Sequence, residues 1–398
     1  MSRENTAPLL YGRGDPLPLT MLVGLFQSFA IGYVTLGIVY YAADRFQADS
    51  ATIGILASVY TATYVIACLA LNKPISRLKP YHAVLGAVSL MALTTQLMIR
   101  VQSLAGLMIL FLLYGVMTGF LWPPLMGWMS RGRDGKQLNR AMTAYNFSWS
   151  TAWMISPYVT GLFYERSPKL PFHMSGLFSL AVGVIVIAYL LIIPAVKESG
   201  KSEHHIKKNP TAGTDRSTPV RFLSWIGLFP GYFVMGLFGS VFPIFLRRAF
   251  SLPESEVGLV ILVRAAVTLL CFYVMGKTVK WHFHRRGIIL YTLLSAAALL
   301  VFGFARTLPH YILWTVLGGI IVGVTYTQSM FHSLSGALER QKRMNIHEIV
   351  LTAGMLAGSL LGGLFLDRFS MNFITFFAAG LTGLAFLVMI VVDRRTNP

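Results

Sequence analysis

The chain has 398 residues, of which 55% are hydrophobic and only 12% are charged. Soluble domains carry about 25% charged residues, and a soluble chain of this length needs that charge to cover its surface. The composition therefore excludes a soluble globular enzyme, a disordered regulator and a disulfide-stapled secreted domain. It predicts an integral membrane protein.

Apolar stretches long enough to cross a bilayer recur along the whole chain. A crossing helix needs roughly 20 residues, and in lipid a helix satisfies its backbone groups within one segment. Runs such as residues 177–193 do not alternate in polarity, which excludes a transmembrane β-barrel. Twelve helical spans are predicted, at residues 19–43, 52–72, 82–99, 104–129, 142–163, 172–194, 222–245, 256–276, 287–305, 309–334, 347–366 and 371–392.

The positions of Lys and Arg predict the orientation of these spans. With the N-terminus in the cytoplasm, 24 basic residues fall on the cytoplasmic side, eight fall outside, and Arg264 lies within a span. Cytoplasmic segments carry the excess of basic residues, so this bias predicts that both termini are cytoplasmic. It also accounts for the net charge of +18 without a nucleic-acid partner.

The longest hydrophilic connection lies between spans six and seven, at residues 197–218. Its Lys, Ser, Gly, Asp and Pro residues indicate a flexible cytoplasmic linker. The predicted organisation is an N-terminal tail, a six-helix bundle, the linker, a second six-helix bundle and a C-terminal tail. The corresponding boundaries are 1–18, 19–194, 195–221, 222–392 and 393–398.

The two halves carry signs of an internal repeat. A shift of 204 residues places Gly54 on Gly258, and later a shift of 202 places Glu165 on Asp367. Membrane transporters are often built from such repeats, with the substrate held between them near the middle of the membrane. The other glycine pairs in these registers include Gly32 with Gly236, Gly115 with Gly319 and Gly161 with Gly363.

Twelve spans, two related halves and a basic central linker resemble the major facilitator superfamily along the whole chain. The signature of that family between spans two and three runs roughly G-x-x-x-D-R-x-G-R-R. Residues 72–79 read N-K-P-I-S-R-L-K, so Arg77 matches, whereas Asn72 replaces the Gly and Ser76 replaces the Asp. The resemblance implies an all-α membrane protein with two pseudo-symmetric six-helix bundles that work by alternating access.

A second signature, G-x-x-x-G-P-x-x-G-G, lies in span five of many antiporters of this family. Residues 152–161 read A-x-x-x-S-P-x-x-T-G, and span eleven repeats the pattern of small residues at 354–363. Small residues at every fourth position also let helices approach closely, so ordinary packing is an alternative. The resemblance favours an efflux-type transporter.

Arg264 is the one basic residue deep within a span. Charge in the bilayer centre costs at least about 2.5 kcal/mol, so a retained Arg points to a function. We expect it to receive an anionic group of the substrate, and a structural Arg bonded to carbonyls or to a neighbouring helix is the alternative. The repeat places Tyr60 opposite Arg264, and the resemblance implies that both line the cavity.

Further polar and aromatic residues are predicted to bind the substrate. Asn146 and Trp149 share one face of span five, and Trp122 precedes two prolines that kink span four. Tyr326 and Gln328 lie at a matching depth in span ten. Ordinary helix packing is the alternative for these residues.

Coupling and gating are assigned to Glu348, His347, Arg77 and Arg140. None of the 15 acidic residues lies at the middle of a span. This leaves three mechanisms open: a proton carried by Glu348 or His347, exchange against another anion, and facilitated diffusion. Glu348 has two alternative roles, which are to stabilise the N-terminal end of its helix and to pair with Arg343 or Arg140 at an inner gate.

The sequence contains no constellation typical of an enzyme, no Walker motif, and no convincing metal site or cofactor motif. It predicts a secondary transporter for a small amphipathic or anionic solute, with a proton as a candidate coupling ion. The transporter is expected to be a monomer surrounded by lipid in the cytoplasmic (inner) membrane. An efflux-type permease is the leading interpretation. The alternatives are a metabolite importer or exchanger, for an organic anion or a sugar-like solute, and a transport-inactive receptor or scaffold.

Overall fold

The computed structural model describes residues 14–71, 78–130, 135–199, 218–278, 280–337 and 340–396. Within these ranges the protein is helical and contains no strand, which confirms the predicted all-α class. The helices are α1 Leu17–Phe46, α2 Ser50–Ala70, α3 Pro80–Met98, α4 Leu104–Ser130, α5 Gly135–Arg166, α6 Leu170–Ile192, α7 Ala195–Ser199, α8 Val220–Gly239, α9 Val241–Phe250, α10 Glu254–Lys277, α11 Arg285–Phe302, α12 Leu308–Leu334, α13 Arg340–Arg368 and α14 Met371–Thr396.

Eleven of the described helices are long and apolar enough to cross a membrane. The fifth predicted span corresponds to α5, which has 32 residues but is too polar to belong to that set. The seventh predicted span is divided into α8 and α9 because Ser240 leaves the helical region, with φ −135° and ψ −80°. Pro243, which follows, cannot donate a backbone hydrogen bond across this break.

The polarity of α5 fits its position. Its Asn146, Ser148, Ser150 and Ser156 would be costly on a lipid-facing surface. The helix instead packs against α1 in its own half and against α10 in the other half. It therefore packs much of its surface against protein, whereas Phe147 and Leu162 remain exposed.

The two halves pack within themselves in equivalent ways. In the first half α1 packs on α5 and α6, and α4 packs on α2 and α3. In the second half α8 packs on α12, α13 and α14, and α10 packs on α12. The halves meet mainly through two helix pairs, α5 with α10 and α2 with α13. These two pairs are related by the sequence repeat, so the same type of helix–helix crossing occurs twice between the halves.

Glycines make both crossings close. A Cβ added to Gly258 on α10 would overlap the carbonyl oxygen of Pro157 on α5, and one added to Gly54 on α2 would overlap that of Ser359 on α13. Gly161 and Gly363 make equivalent contacts, with Glu254 and Ser50. The repeat-related glycines thus allow backbone-to-backbone contact between the halves.

The helix ends define two ends of the bundle. We call the end that carries α7, the start of α1 and the end of α14 the linker end. The end near Asp44, Asp49 and Glu254 is the opposite end. At the opposite end Asp49 caps α2, because its Oδ1 accepts a hydrogen bond from the backbone N–H of Thr52 at 2.8 Å. Hydrogen bonds from Thr52 hold the pKa of the Asp49 carboxyl below its usual value.

Candidate functional site

A cavity of about 90 Å³ lies between the halves. Its walls come from α1, α2, α4 and α5 of the first half and from α8, α10 and α13 of the second. Both Tyr60 and Arg264, which the repeat predicts to be equivalent, line it. Aromatic and aliphatic side chains make up most of the remaining wall.

Among the described residues that line this cavity, Arg264 is the one that carries a charge. Its side chain is buried, with 4% of the residue exposed. Nη1 lies 3.1 Å from the sulfur of Met235, and Cζ lies 5.5 Å from the ring centroid of Phe238. Nε is buried and has no hydrogen-bond partner within the described residues. A thioether and a ring face are weak partners for a guanidinium, so the cation keeps unused hydrogen-bonding capacity.

Tyr60 faces the cavity from α2. Its ring stacks on Phe111 at a centroid distance of 4.9 Å, and its hydroxyl lies 3.5 Å from Oγ1 of Thr118. That distance is at the limit of a hydrogen bond. The two repeat-related positions therefore differ in chemistry, with a phenol on one half and a cation on the other.

The sequence analysis did not select Ser156, which also lines the cavity. Its side chain is fully buried on α5, and its Oγ has no hydrogen-bond partner among the described residues. Trp153, Met235 and Phe238 line the cavity as well. The signature of small residues in span five includes Ser156 and could have identified it, whereas nothing in the sequence distinguishes Phe238 from other apolar residues.

A second group of predicted residues lies nearer the linker end. Trp149 donates a hydrogen bond from Nε1 to Oδ1 of Asn146 at 3.0 Å, and Nδ2 of Asn146 lies 3.6 Å from the sulfur of Met330 in the other half. The ring of Trp149 is 6.1 Å from that of Tyr326. Asn146, Trp149 and Tyr326 thus meet across the halves, but they do not line the central cavity.

Glu348 and His347 lie beside this group. The hydroxyl of Tyr64 on α2 is 3.5 Å from Oε2 of Glu348 on α13, and His347 Nδ1 is 2.7 Å from Ser329 Oγ. The described part of α13 begins at Arg340, so Glu348 lies more than two turns into the helix. This contradicts the alternative in which Glu348 stabilises the helix N-terminus, because that effect is confined to the first turn.

The remaining predicted residues are dispersed. Trp122 is partly buried against the core of the protein. Gln328 is buried on α12 but does not line the cavity. Arg140 is exposed near the start of α5. Arg77 lies outside the described residues.

Polar contacts join the halves at the opposite end. Arg247 forms ion pairs with Asp44 of the first half at 3.2 Å and with Glu254 at 2.8 Å. Nη1 of Arg248 donates to Ser50 Oγ of the first half at 3.1 Å, and within the first half the hydroxyl of Tyr164 donates to Asp44 at 2.9 Å. Together with the glycine crossings, these contacts hold the halves together at this end.

Comparisons with known proteins agree on one family. The family model described as Major Facilitator Superfamily matches residues 20–229 and 224–398. Multidrug resistance protein 1 of Bacillus subtilis (strain 168) is 21% identical over 273 residues, which are 67% of this chain and 68% of that protein.

Solved structures of transporters share the fold. The nucleoside transporter NupG superposes with a TM-score of 0.71 at 11% identity, over 96% of this chain and 99% of that chain. The human organic anion transporter MFSD10 (TETRAN) superposes with a TM-score of 0.65 at 11% identity, over 95% and 99%. At such identities these likenesses show the fold alone.

Proposed function

Because this chain belongs to the Major Facilitator Superfamily, a family of membrane transporters, we propose that it moves a small organic solute across the cytoplasmic membrane by alternating access. One observation carries the proposal, which is the cavity that both halves line between their two crossings. A site shared by two bundles changes its exposure when one bundle rocks against the other.

We assign the structure to a contracted state that is closed at the opposite end. The cavity of about 90 Å³ is smaller than the roughly 150 Å³ of an engineered cavity that binds benzene. Sites for drug-sized ligands have about 300–1,000 Å³. A solute of that size therefore requires the halves to separate further, whereas a solute of a few heavy atoms fits with little change.

We propose export as the direction of transport. The support is the signature of span five together with the similarity to a protein named for multidrug resistance. Import or exchange of a metabolite is the second candidate. It is favoured by the buried cation of Arg264, because a cation in the wall suits an organic anion better than a cationic drug.

We propose that a proton drives the cycle through Glu348. This carboxyl group lies between the halves and contacts Tyr64 of the other half. A group whose contacts cross the interface can couple its protonation to the movement of the bundles.

The proposal is tested with purified protein in liposomes. Radiolabelled solutes from a panel of metabolites and dyes are offered with and without an imposed pH gradient, and empty liposomes serve as the control. Uptake of at least one solute above the empty-liposome level is the expected result. A protein that binds solutes but moves none, with or without a gradient, would be a receptor.

A further inference from the structure

We propose that the central cavity takes a small monocarboxylate, with Arg264 of the second half and Ser156 of the first half as its hydrogen-bond donors. The inference rests on the proposed transport function and names the chemical class of the solute. It follows from three observations: the charge balance of the cavity, a buried serine hydroxyl without a partner among the described residues, and the apolar character of the remaining wall.

The charge balance of the cavity is positive. Arg264 lines it, and no Asp or Glu is among the described residues of its wall. Arg264 takes part in none of the ion pairs formed within the described residues. Arg does not lose its proton in a protein, and an uncompensated buried charge is costly. An anionic ligand would therefore lower the free energy of this site more than a neutral or cationic one.

The hydroxyl of Ser156 has unused hydrogen-bonding capacity. Ser359 on α13 of the second half provides a comparison. Each serine packs against a glycine of a repeat-related pair, Gly32 and Gly236. Ser359 Oγ donates to the carbonyl oxygen of Gly236 at 3.2 Å, whereas Ser156 Oγ is buried and has no partner in the described residues. A buried hydroxyl without a partner costs about 1–3 kcal/mol. A ligand oxygen in the cavity would satisfy it.

The remaining residues of the cavity wall determine which non-ionic part of the ligand fits. Phe111, Trp153 and Phe238 contribute rings to it, and Met235 and Ile261 contribute flexible apolar surface. One cation balances one negative charge, so a dicarboxylate or a phosphate dianion would leave charge unpaired in an apolar site. The small volume and the apolar wall favour a carboxylate with a short aliphatic body.

Such a ligand would touch both halves. Arg264 lies on α10 and Ser156 lies on α5, the two helices that cross at Gly258 and Pro157. A carboxylate has two oxygens with lone pairs for donors on both sides. Binding would therefore strengthen the α5–α10 contact and favour the closed arrangement of the halves.

Affinity measurements on size-matched acids and amides test the inference. Butyrate is compared with butyramide, and acetate with acetamide, by thermal shift titration of the purified protein and by counterflow in liposomes. Hydrogen bonds to charged groups contribute about 1.5–3 kcal/mol, and 1.4 kcal/mol is tenfold in affinity. We expect at least one acid to bind about tenfold or more tightly than its amide. Arg264→Gln should abolish this preference.

Ser156→Ala and Ser359→Ala form a matched pair of variants. Ser156→Ala should weaken acid binding about fivefold without lowering the melting temperature, because its hydroxyl has no partner to lose. Ser359→Ala should leave the preference for acids intact and lower the melting temperature, since it removes a hydrogen bond within the second half.

Equal binding of acids and amides by the wild type would overturn the inference, as would a preference that survives in Arg264→Gln. The wild-type comparison decides the matter even if that variant fails to fold. Counterflow of neutral solutes without any preference for acids would contradict the inference about monocarboxylates but would still support the transport function. Absence of counterflow for every solute tested would instead contradict the transport function.

Discussion

Glu165 and Asp367 occupy repeat-related positions, and each carboxylate caps a helix that belongs to the other half. Glu165 Oε1 accepts a hydrogen bond from the backbone N–H of Ser255 at 2.7 Å, at the start of α10. Asp367 accepts hydrogen bonds from the backbone N–H groups of Ala51 at 2.6 Å and Ser50 at 3.2 Å, at the start of α2. The free N–H groups and the positive end of each helix dipole are thus satisfied across the interface.

These caps can form only when the halves are closed at the opposite end, so we expect their removal to favour opening. Glu165→Gln and Asp367→Asn keep the shape but lose the charge, and each should cost about 1 kcal/mol, or roughly fivefold in the population of the closed state. The distance between spin labels at the exposed residues Arg100 and Arg306 should then shift to longer values.

The control for this prediction is Glu256→Gln. Glu256 is exposed in the first turn of α10 and loses the same charge. The label distances should stay at their wild-type values in this variant. If Glu165→Gln and Asp367→Asn also leave the distances unchanged, the caps contribute nothing to closure.

Gly258→Ala should prevent closure of the α5–α10 crossing, because the added methyl group would meet backbone and not a flexible side chain. Overpacking of this kind costs about 1–3 kcal/mol. We expect transport to fall at least tenfold, with the spin-label distances of an open state. Gly276→Ala on the same helix is the matched control, because a Cβ there meets no atom within 4 Å. Loss of transport in both variants would show that the effect is not specific to the crossing.

Glu348→Gln should abolish uphill transport and leave counterflow exchange in place, because the substitution removes the titrating group but keeps its size and polarity. Tyr64→Phe removes the neighbouring hydroxyl and keeps the carboxyl, so its uphill transport should be reduced but present. Initial rates with and without a pH gradient provide the measurement. Uphill transport by Glu348→Gln would assign Glu348 to the interface contact alone.

The orientation of the bundle is tested by labelling in whole cells. In a background without Cys68 and Cys271, a cysteine at Pro168 should react with an impermeant maleimide, because Pro168 is exposed at the opposite end. Cysteines at Thr211 and Arg394 should react only after the cells are opened. Labelling of either position in intact cells would reverse the predicted topology.

The helical class and the repeat could be predicted from sequence because hydropathy and glycine spacing are local properties. The pairing of Gly54 with Gly258 indicated equivalent positions in the two halves. It could not indicate that each of these glycines contacts the opposite half, because a repeat gives the register of two segments and not their arrangement in space.

The site was predicted less completely. Tyr60 and Arg264 were predicted because a charge in a span is rare and the repeat supplies its counterpart. Ser156 was not selected, because its significance lies in a hydroxyl that has no hydrogen-bond partner within the described residues, which the sequence does not reveal. The position of Glu348 depended on where α13 begins, and helix ends are poorly determined by composition because the first turns are often polar.

The polarity of α5 has a consequence for how the protein is made. A segment too polar to partition into lipid cannot rely on its own transfer free energy when the ribosome delivers it to the membrane. The following helix α6 is strongly apolar and is joined to α5 by only three residues. The two are therefore expected to enter the bilayer as one hairpin, with α1 already present to shelter the polar face of α5. Charges introduced into α6 would then remove two helices from the membrane and expose the nascent chain to quality-control proteolysis.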